Sequence, residues 1–276
     1  MDKLLFGTAG IPISCYGCNT ERGIAGVREL NLDAMELEFV HSVNISKEKA
    51  PLVKKSAEKN NIVLTCHAQY YINLSSKEDA KISASKQRIL NAARIANMCV
   101  AWSVVFHAGF YHDNSKEKVY DIIEKNLMEV SSTLKDEGNN IWIRPETTGK
   151  LAQFGTVDEI LRLSQEIENV MPCIDFSHLH ARSNGKINSE QDFRQILQKV
   201  EDALGKKGLN NMHIHLSGIN YGERGEKNHL NLQESQLNYK DLIKAWKEFG
   251  VKGVVISESP NIEGDARLIK DVYDGL

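Results

Sequence analysis

The chain of 276 residues has a mass of 31.0 kDa and, with 34 Lys and Arg against 37 Asp and Glu, a formal net charge of -3 at pH 7. Its 41% hydrophobic and 26% charged residues are typical of a globular protein and exclude a disordered, collagen-like or coiled-coil chain. No segment approaches the roughly 18 consecutive apolar residues of a membrane span, and the N-terminus is too poor in apolar residues for a secretory signal, so we expect a cytoplasmic protein without a membrane partner.

Short β-rich segments recur along the chain, each followed by a longer segment with helical periodicity. In chain order we predict strands at Leu4–Thr8, Ala34–Phe39, Ile62–His67, Ser103–His107, Asn140–Glu146, Val170–Asp175, Asn211–Leu216 and Gly253–Glu258. The segment Asp79–Cys99 has the apolar spacing of a helix, and Thr156 with Glu159 is typical of a capping box. Eight such units in about 250 residues predict a single (β/α)8 TIM barrel over residues 1–276. A doubly wound sheet is the alternative, but no glycine-rich phosphate loop follows any strand.

Five cysteines are scattered through the chain, an odd number that does not suggest a disulfide framework. We therefore predict free thiols in a reducing compartment. Cys15 and Cys18 form a lone Cys-x-x-Cys pair, and without a second pair a four-sulfur zinc site is unsupported. We interpret them as two incidental thiols in a surface loop.

Residue types that bind metals lie at or just beyond the carboxyl ends of the predicted strands. They are His67, His107, Glu146, Asp175, His178, His213 and Glu258. In a barrel these ends converge on one rim, where several carboxylates crowded into a partly desolvated pocket need cations. Imidazole with carboxylate suits zinc, with manganese or iron as alternatives. Since one ion would leave ligands unused, we expect at least two, about 3.5–4 Å apart and bridged by a carboxylate as in phosphate-ester hydrolases.

A further candidate lies in the charged segment 220–229. Glu226 and His229 are three residues apart, which is close enough to hold one ion from a loop. A solvated charged loop explains the same spacing equally well, so both interpretations stay open.

Three motifs in this order resemble the endonuclease IV family of abasic-site DNA repair endonucleases, within the xylose-isomerase-like TIM-barrel superfamily. The segment His67–Leu74 is similar to the family's first histidine motif, and Cys173–His178 to its Asp-x-x-His motif. The segment from Met212-His213 to His229 is similar to the third. The resemblance extends from the third predicted strand to the eighth.

The resemblance implies a trinuclear zinc centre. It assigns His67, His107 and Glu146 to one ion. It assigns Asp175, His213 and Glu258 to a second, with Glu146 bridging the two. A third ion takes His178 and a pair on the loop, where Glu226 is a plausible ligand but Asn228 stands where the family has histidine. Either His229 substitutes or the third site is weak or empty, so two to three ions are expected.

The function implied is that of a zinc-dependent phosphodiesterase of base excision repair, cleaving DNA 5′ to abasic sites by attack of metal-bound hydroxide on phosphorus. Glu146 orients the hydroxide in this interpretation and Glu258 accepts its proton. Tyr70 and Tyr71, just beyond His67, are candidates to stack on or wedge into the duplex, with ordinary packing under the rim as the alternative. We expect a monomer whose partner is DNA containing abasic sites.

Two other functions fit parts of the pattern. A divalent-metal sugar isomerase or epimerase of the same superfamily needs only Glu146, Asp175, His213 and Glu258 around one ion, with proton transfer across a ketose. His67 and His107 favour the nuclease because a one-metal isomerase does not need both. A catalytically idle metal-binding barrel is the third reading.

The acidic balance by itself argues against general attraction to nucleic acid, which usually accompanies a basic surplus. Three of the acids are assigned as metal ligands, however, and two divalent ions would turn the net charge of -3 positive. That positive charge would lie at the barrel mouth, where a phosphate approaches. The composition therefore remains compatible with a DNA partner.

Overall fold

A computed structural model describes residues 1–276. The strands are β1 (Leu4–Ala9), β2 (Ala34–Glu38), β3 (Val63–His67), β4 (Ser103–Phe106), β5 (Trp142–Pro145), β6 (Cys173–Asp175), β7 (Met212–Leu216), β8 (Gly218–Gly222), β9 (Gly225–Leu230) and β10 (Gly253–Ser257). The helices are α1 (Thr20–Glu29), α2 (Ala50–Asn60), α3 (Asp79–Met98), α4 (Lys116–Asp136), α5 (Val157–Glu166), α6 (Phe176–Arg182), α7 (Glu190–Leu209), α8 (Tyr239–Glu248) and α9 (Glu263–Asp274).

Eight of the strands form a parallel barrel. Its sheet runs in the order β5-β4-β3-β2-β1-β10-β7-β6. The two ends of the sheet meet through parallel bridges from Ile143 to Val170 and from Glu146 to Cys173. The single (β/α)8 TIM barrel predicted from the sequence is confirmed, and β6 is shorter than predicted because Val170 contributes only an isolated bridge.

Along each strand the side chains alternate between the layer under the helices and the interior of the barrel. Along β7, Met212, Ile214 and Leu216 belong to the apolar layer under the helices. His213 and His215 alternate with them and therefore point into the barrel, where both are fully buried. The same alternation on β2 turns Glu36 inward. The barrel interior near the rim is thus built from polar side chains.

The helix predictions hold at their ends. The capping box at α5 is present: the Thr156 side chain accepts from the Glu159 backbone N–H, and the Glu159 carboxylate accepts from that of Thr156 at 2.9 Å. Helix α3 ends at Met98, one residue before the predicted end. None of the helices is long and apolar enough to cross a membrane.

The prediction of free thiols at Cys15 and Cys18 is wrong, because the two residues form a disulfide. A short 3-10 turn at Ile13–Cys15 brings their Cα atoms to 5.6 Å, within the range that a disulfide spans. The bridge closes a loop on the rim after β1, with Tyr16 fully exposed at its tip. Cys66, Cys99 and Cys173 are free and buried.

Strands β8 and β9 form an antiparallel ribbon that lies over the rim. The ribbon is attached to the loop after β5, where the Gly149 carbonyl accepts from the Glu226 N–H at 3.0 Å. Gly225 has a φ of +92°, and a Cβ there would lie 2.1 Å from the Gly149 carbonyl oxygen. This close approach, which only glycine allows, brings Glu226 over the barrel mouth.

Candidate metal centre

The predicted rim residues surround one cavity of about 250 Å³ at the carboxyl ends of the strands. Its lining consists of Glu38, Val40, His67, Tyr70, His107, His178, Glu226, His229 and Glu258. Glu146, Asp175 and His215 are completely buried beneath it. Around the cavity the donor atoms fall into three groups, in each of which they lie within 4.8 Å of one another, and a fourth group of Cys173, His213 and His215 lies deeper in the barrel.

The first group is His67, His107 and Glu146. The Nε2 atoms of His67 and His107 lie 3.5 and 3.2 Å from Oε2 of Glu146. These three residues come from the ends of three adjacent strands, as the sequence predicted for one ion.

The second group is Glu146, Asp175, His215 and Glu258. Nδ1 of His215 lies 3.3 Å from Oε1 of Glu146 and 3.4 Å from Oε1 of Glu258. Glu146 therefore directs one oxygen to each of the first two groups, which is the arrangement expected of a bridging carboxylate.

The structure places His215, and not the predicted His213, in the second group. Pairing between β6 and β7 sets His215 level with Asp175 and His213 level with Cys173. His213 therefore lies two residues deeper, where its Nδ1 is 2.9 Å from the Ser103 hydroxyl. The spacing of the motif does not distinguish the two histidines, since both point into the barrel.

The third group is His178, Glu226 and His229. Nε2 of His178 lies 3.5 Å from Oε2 of Glu226, and the His178 and His229 rings are 5.7 Å apart. Asn228 is exposed and contacts Asn220 across the ribbon. Of the alternatives left open by the sequence, the geometry brings His229 to this group in place of Asn228.

Three of the histidines are oriented by backbone carbonyls. Nδ1 of His67 lies 2.7 Å from the Ala68 oxygen, Nδ1 of His178 lies 3.0 Å from that of Thr147, and Nδ1 of His229 lies 3.2 Å from that of Glu258. Because a carbonyl only accepts, each Nδ1 carries a proton, and Nε2 is the nitrogen left to bind a metal once it is deprotonated. This arrangement is common among histidines that bind metals.

The buried carboxylates lack enough protein partners. Glu146 Oε2 and Asp175 Oδ2 accept no hydrogen bond. The neighbouring Arg144 does not pair with Glu146 but donates to the Pro172 carbonyl at 2.7 Å and to Asn211 at 2.6 Å. Unpartnered carboxylate oxygens facing imidazole Nε2 atoms fit divalent cations, which would replace protons in this pocket.

The pKa values of the buried carboxylates and histidines also reflect the concentration of negative charge in this pocket. Burial acts to raise the pKa of Glu146, but His107 and His215 outweigh it and hold the pKa well below the usual range. Burial raises the pKa of Asp175 to about 6. Burial acts to lower the pKa of His67, but Glu146 outweighs it and raises the pKa to about 10. In the absence of metal, protons on histidine thus occupy the place of cations.

The two tyrosines differ in position. Tyr70 lines the cavity with its ring 6.2 Å from that of His67 and is 63% exposed. Tyr71 is not part of the lining and its ring lies 6.0 Å from the Arg88 guanidinium.

The sequence analysis did not select Glu38, which lines the cavity and whose pKa is raised to about 8 by burial and by Glu36. Its place at the end of β2 was the available signal.

Curated relatives match nearly the whole chain or most of it. An uncharacterized protein of Methanocaldococcus jannaschii is 46% identical over 273 residues, which cover 99% of this chain and 98% of the relative. A probable endonuclease 4 of Mycoplasma mobile is 26% identical over 230 residues, which cover 80% of this chain and 78% of the relative.

Solved structures of two kinds share the fold to the same degree. Endonuclease IV from Thermus thermophilus superposes with a TM-score of 0.75 at 14% identity, covering 99% of this chain and 100% of that one. A D-tagatose 3-epimerase-like protein superposes with a TM-score of 0.74 at 20% identity, covering 97% of this chain and 96% of that one. The model of the xylose isomerase-like TIM barrel family matches residues 24–274. The chain belongs to that family.

Proposed function

We propose that the protein is a zinc-dependent phosphodiesterase that cleaves DNA 5′ to abasic sites. The observation that carries the proposal is the junction of the first and second groups at Glu146, whose two oxygens face different sets of donors. Reactions that need one ion have no use for this junction, whereas phosphate-ester hydrolysis uses paired ions to hold both the attacking and the leaving oxygen.

The three groups would hold up to three ions. Zinc suits their mixture of imidazole and carboxylate, with manganese or iron as alternatives. Ions bound there would neutralise phosphate oxygens and lower the pKa of a water from about 15.7 to about 7. The probable endonuclease 4 of Mycoplasma mobile supports the assignment by its similarity over most of the chain.

The chain's own residues then have distinct roles. Glu146 orients the attacking water from the cavity floor, and Glu258, which is partly exposed in the cavity, accepts its proton. Tyr70 stands on the cavity wall, where its ring can stack against the displaced nucleoside. Tyr71 lies further out and contacts the flanking duplex. The partner is DNA, and the protein acts as a cytoplasmic monomer.

One observation favours a second function, that of a sugar epimerase with a single ion in the second group. Oε1 of Glu38 is buried, faces no hydrogen-bond donor, and belongs to a residue on the cavity wall. A carboxyl group at that position suits a neutral polyol, whose hydroxyls donate hydrogen bonds, better than an anionic phosphodiester. The D-tagatose 3-epimerase-like neighbour has the same fold.

A duplex with one tetrahydrofuran abasic analogue, labelled at one end, separates the two functions. The nuclease predicts a nick 5′ to the lesion that leaves a 3′ hydroxyl, is prevented by EDTA and returns with zinc. The same duplex without the lesion serves as the control. A panel of ketoses is incubated in parallel with manganese or cobalt, and sugar turnover with intact DNA would contradict the nuclease and support the epimerase.

A further inference from the structure

A second layer of polar residues lies beneath the candidate metal centre. Its central residue is Glu36 on β2, which has no exposed surface. The Glu36 carboxylate lies between two histidines of β7: Oε1 is 3.0 Å from Nε2 of His215, and Oε2 is 3.2 Å from Nε2 of His213. Thr65 on β3 donates its hydroxyl to Oε2 at 2.7 Å.

His215 stands between this layer and the metal centre. Its Nδ1 faces Glu146 and Glu258 of the second group, and its Nε2 faces Glu36. A neutral imidazole has one protonated and one free nitrogen. A carboxylate beside Nε2 favours the proton there and so leaves the Nδ1 lone pair directed at the second group.

Glu36 is itself held from the far side. His213 lies against its other oxygen, and Nδ1 of His213 is 2.9 Å from the Ser103 hydroxyl. The Trp102 ring stacks on His213 at 6.1 Å with an angle of 30° between the planes. Residues of β3 and β7 thus surround one carboxylate of β2, and Ser103 of β4 supports His213 behind it, which leaves the carboxylate little freedom to turn away.

We propose that Glu36 is a positioning residue that sets the tautomer and ring orientation of His215, and thereby the metal affinity of the second group. The inference rests on the proposed metal centre but not on the reaction performed there. The competing assignment is a separate inner metal site, because the donor atoms of Cys173, His213 and His215 also lie within 4.8 Å of one another.

The test is metal binding by the full chain, stripped of metal and titrated with zinc against a chromophoric chelator, without DNA. In Glu36→Gln the amide keeps only one acceptor oxygen, so it can face at most one of the two histidine Nε2 atoms as an acceptor. We expect the second-group ion to bind about 10- to 100-fold more weakly, the range seen when partners of metal-bound histidines are removed. The ion of the first group, held by His67 and His107, should stay within a few-fold of wild type.

Asp33→Asn is the matched control, since it removes another buried acid, just before the same strand, whose carboxylate faces Lys270 at 2.8 Å and no histidine. Equal weakening by the two variants would show a general loss of negative charge and overturn the proposal. A second readout is the tautomer of His215 in zinc-loaded protein, from long-range ¹⁵N–¹H correlations. We expect a proton on Nε2 in wild type, and a proton on Nδ1 would overturn the assignment.

Cobalt substitution separates the competing inner site. No cysteine belongs to any of the three groups, so thiolate-to-cobalt charge-transfer absorption that disappears in Cys173→Ser but persists in Cys66→Ser would assign the inner site and overturn the positioning role. Absence of that absorption supports the role. A wild-type chain that binds no ion in the second group would overturn this role, whereas failure to cleave DNA would affect only the proposed reaction.

Discussion

Buried acids have different partners at the two ends of the barrel. At the amino-terminal end, Asp33 lies just before β2 and its carboxylate meets three cations: Lys270 at 2.8 Å, Arg28 at 3.4 Å and Lys3 at 4.0 Å. At the carboxyl-terminal end, Glu146 and Asp175 meet histidines and each keeps an oxygen without a hydrogen bond.

This difference in partners separates acids that form permanent ion pairs from acids whose oxygens are available to a cation. Lysine and arginine remain charged at all ordinary pH values, so they satisfy Asp33 permanently. An imidazole, unlike a guanidinium, can be deprotonated to bind a metal, so a divalent ion can replace those protons without removing any protein group. The amino-terminal end therefore stabilises the fold, while the carboxyl-terminal end carries the candidate metal centre.

The largest expected effect is that of Glu146→Gln. A neutral amide cannot bridge two cations, so we expect the loss of at least one ion and a fall in the proposed nuclease activity to about one thousandth or less. Metal content by mass spectrometry and cleavage of the lesion duplex measure the two effects. Asp33→Asn, an acid-to-amide change at the other end, should keep full metal content. Activity near wild type in Glu146→Gln would remove the bridging role.

Replacing each histidine of β7 in turn tests which of the two binds the ion of the second group. His215→Asn should abolish binding of the second-group ion because it removes a donor atom. His213→Asn leaves all donor atoms of the second group in place but removes a contact to Glu36, and it should weaken binding of that ion by roughly tenfold. The reverse order of effects, measured by zinc titration, would return His213 to the ligand set.

Gly149→Ala tests the third group without substituting any of its three residues. A Cβ at this position would lie 2.6 Å from Cβ and 2.8 Å from Oε2 of Glu226. We expect Glu226 to be displaced from His178 and the third ion to bind about 10- to 100-fold more weakly. Gly26→Ala is the control, since its Cβ meets nothing nearer than 3.5 Å. Unchanged binding of three ions in Gly149→Ala would contradict the third group.

Metal affinity should rise with pH. The pKa of His67 is raised to about 10 by Glu146, against the effect of burial, so at neutral pH an ion must displace its proton. One proton displaced per ion makes the apparent dissociation constant fall by up to about tenfold per pH unit below that pKa. Zinc titrations between pH 6 and 9 measure the slope, and a slope of zero would mean that His67 is no ligand.

Asp33→Asn should have the smallest effect, because it leaves the metal centre unchanged. It should lower the free energy of unfolding by about 2 kcal/mol. Burial acts to raise the pKa of Asp33, but Lys270, Lys3 and Arg28 outweigh it and lower the pKa. The contribution is therefore complete above the unfolded pKa and is lost as the pH falls through the folded pKa. Denaturant unfolding should show the difference at pH 7 and little of it once the pH is below the folded pKa.

Most of the barrel could be predicted from the sequence because its strands and helices are local patterns. The segment Ser103–Phe106 reads as a strand from its own residues, and Thr156 with Glu159 marks a helix start within four positions. The disulfide was missed because counting cysteines says nothing of the distance between two of them. Only the turn at Ile13–Cys15 brings Cys15 and Cys18 together.

The sequence by itself determined which chemistry collects at the rim, since residues at the ends of parallel strands must meet there. Tertiary structure alone decided which histidine stands at which height. Pairing of β7 with β6 sets His215, not His213, level with Asp175, and the ribbon of β8 and β9 turns His229 inward and Asn228 outward. The physical reason is that periodicity fixes the face on which a side chain lies, whereas its height depends on hydrogen bonds between strands far apart in the chain.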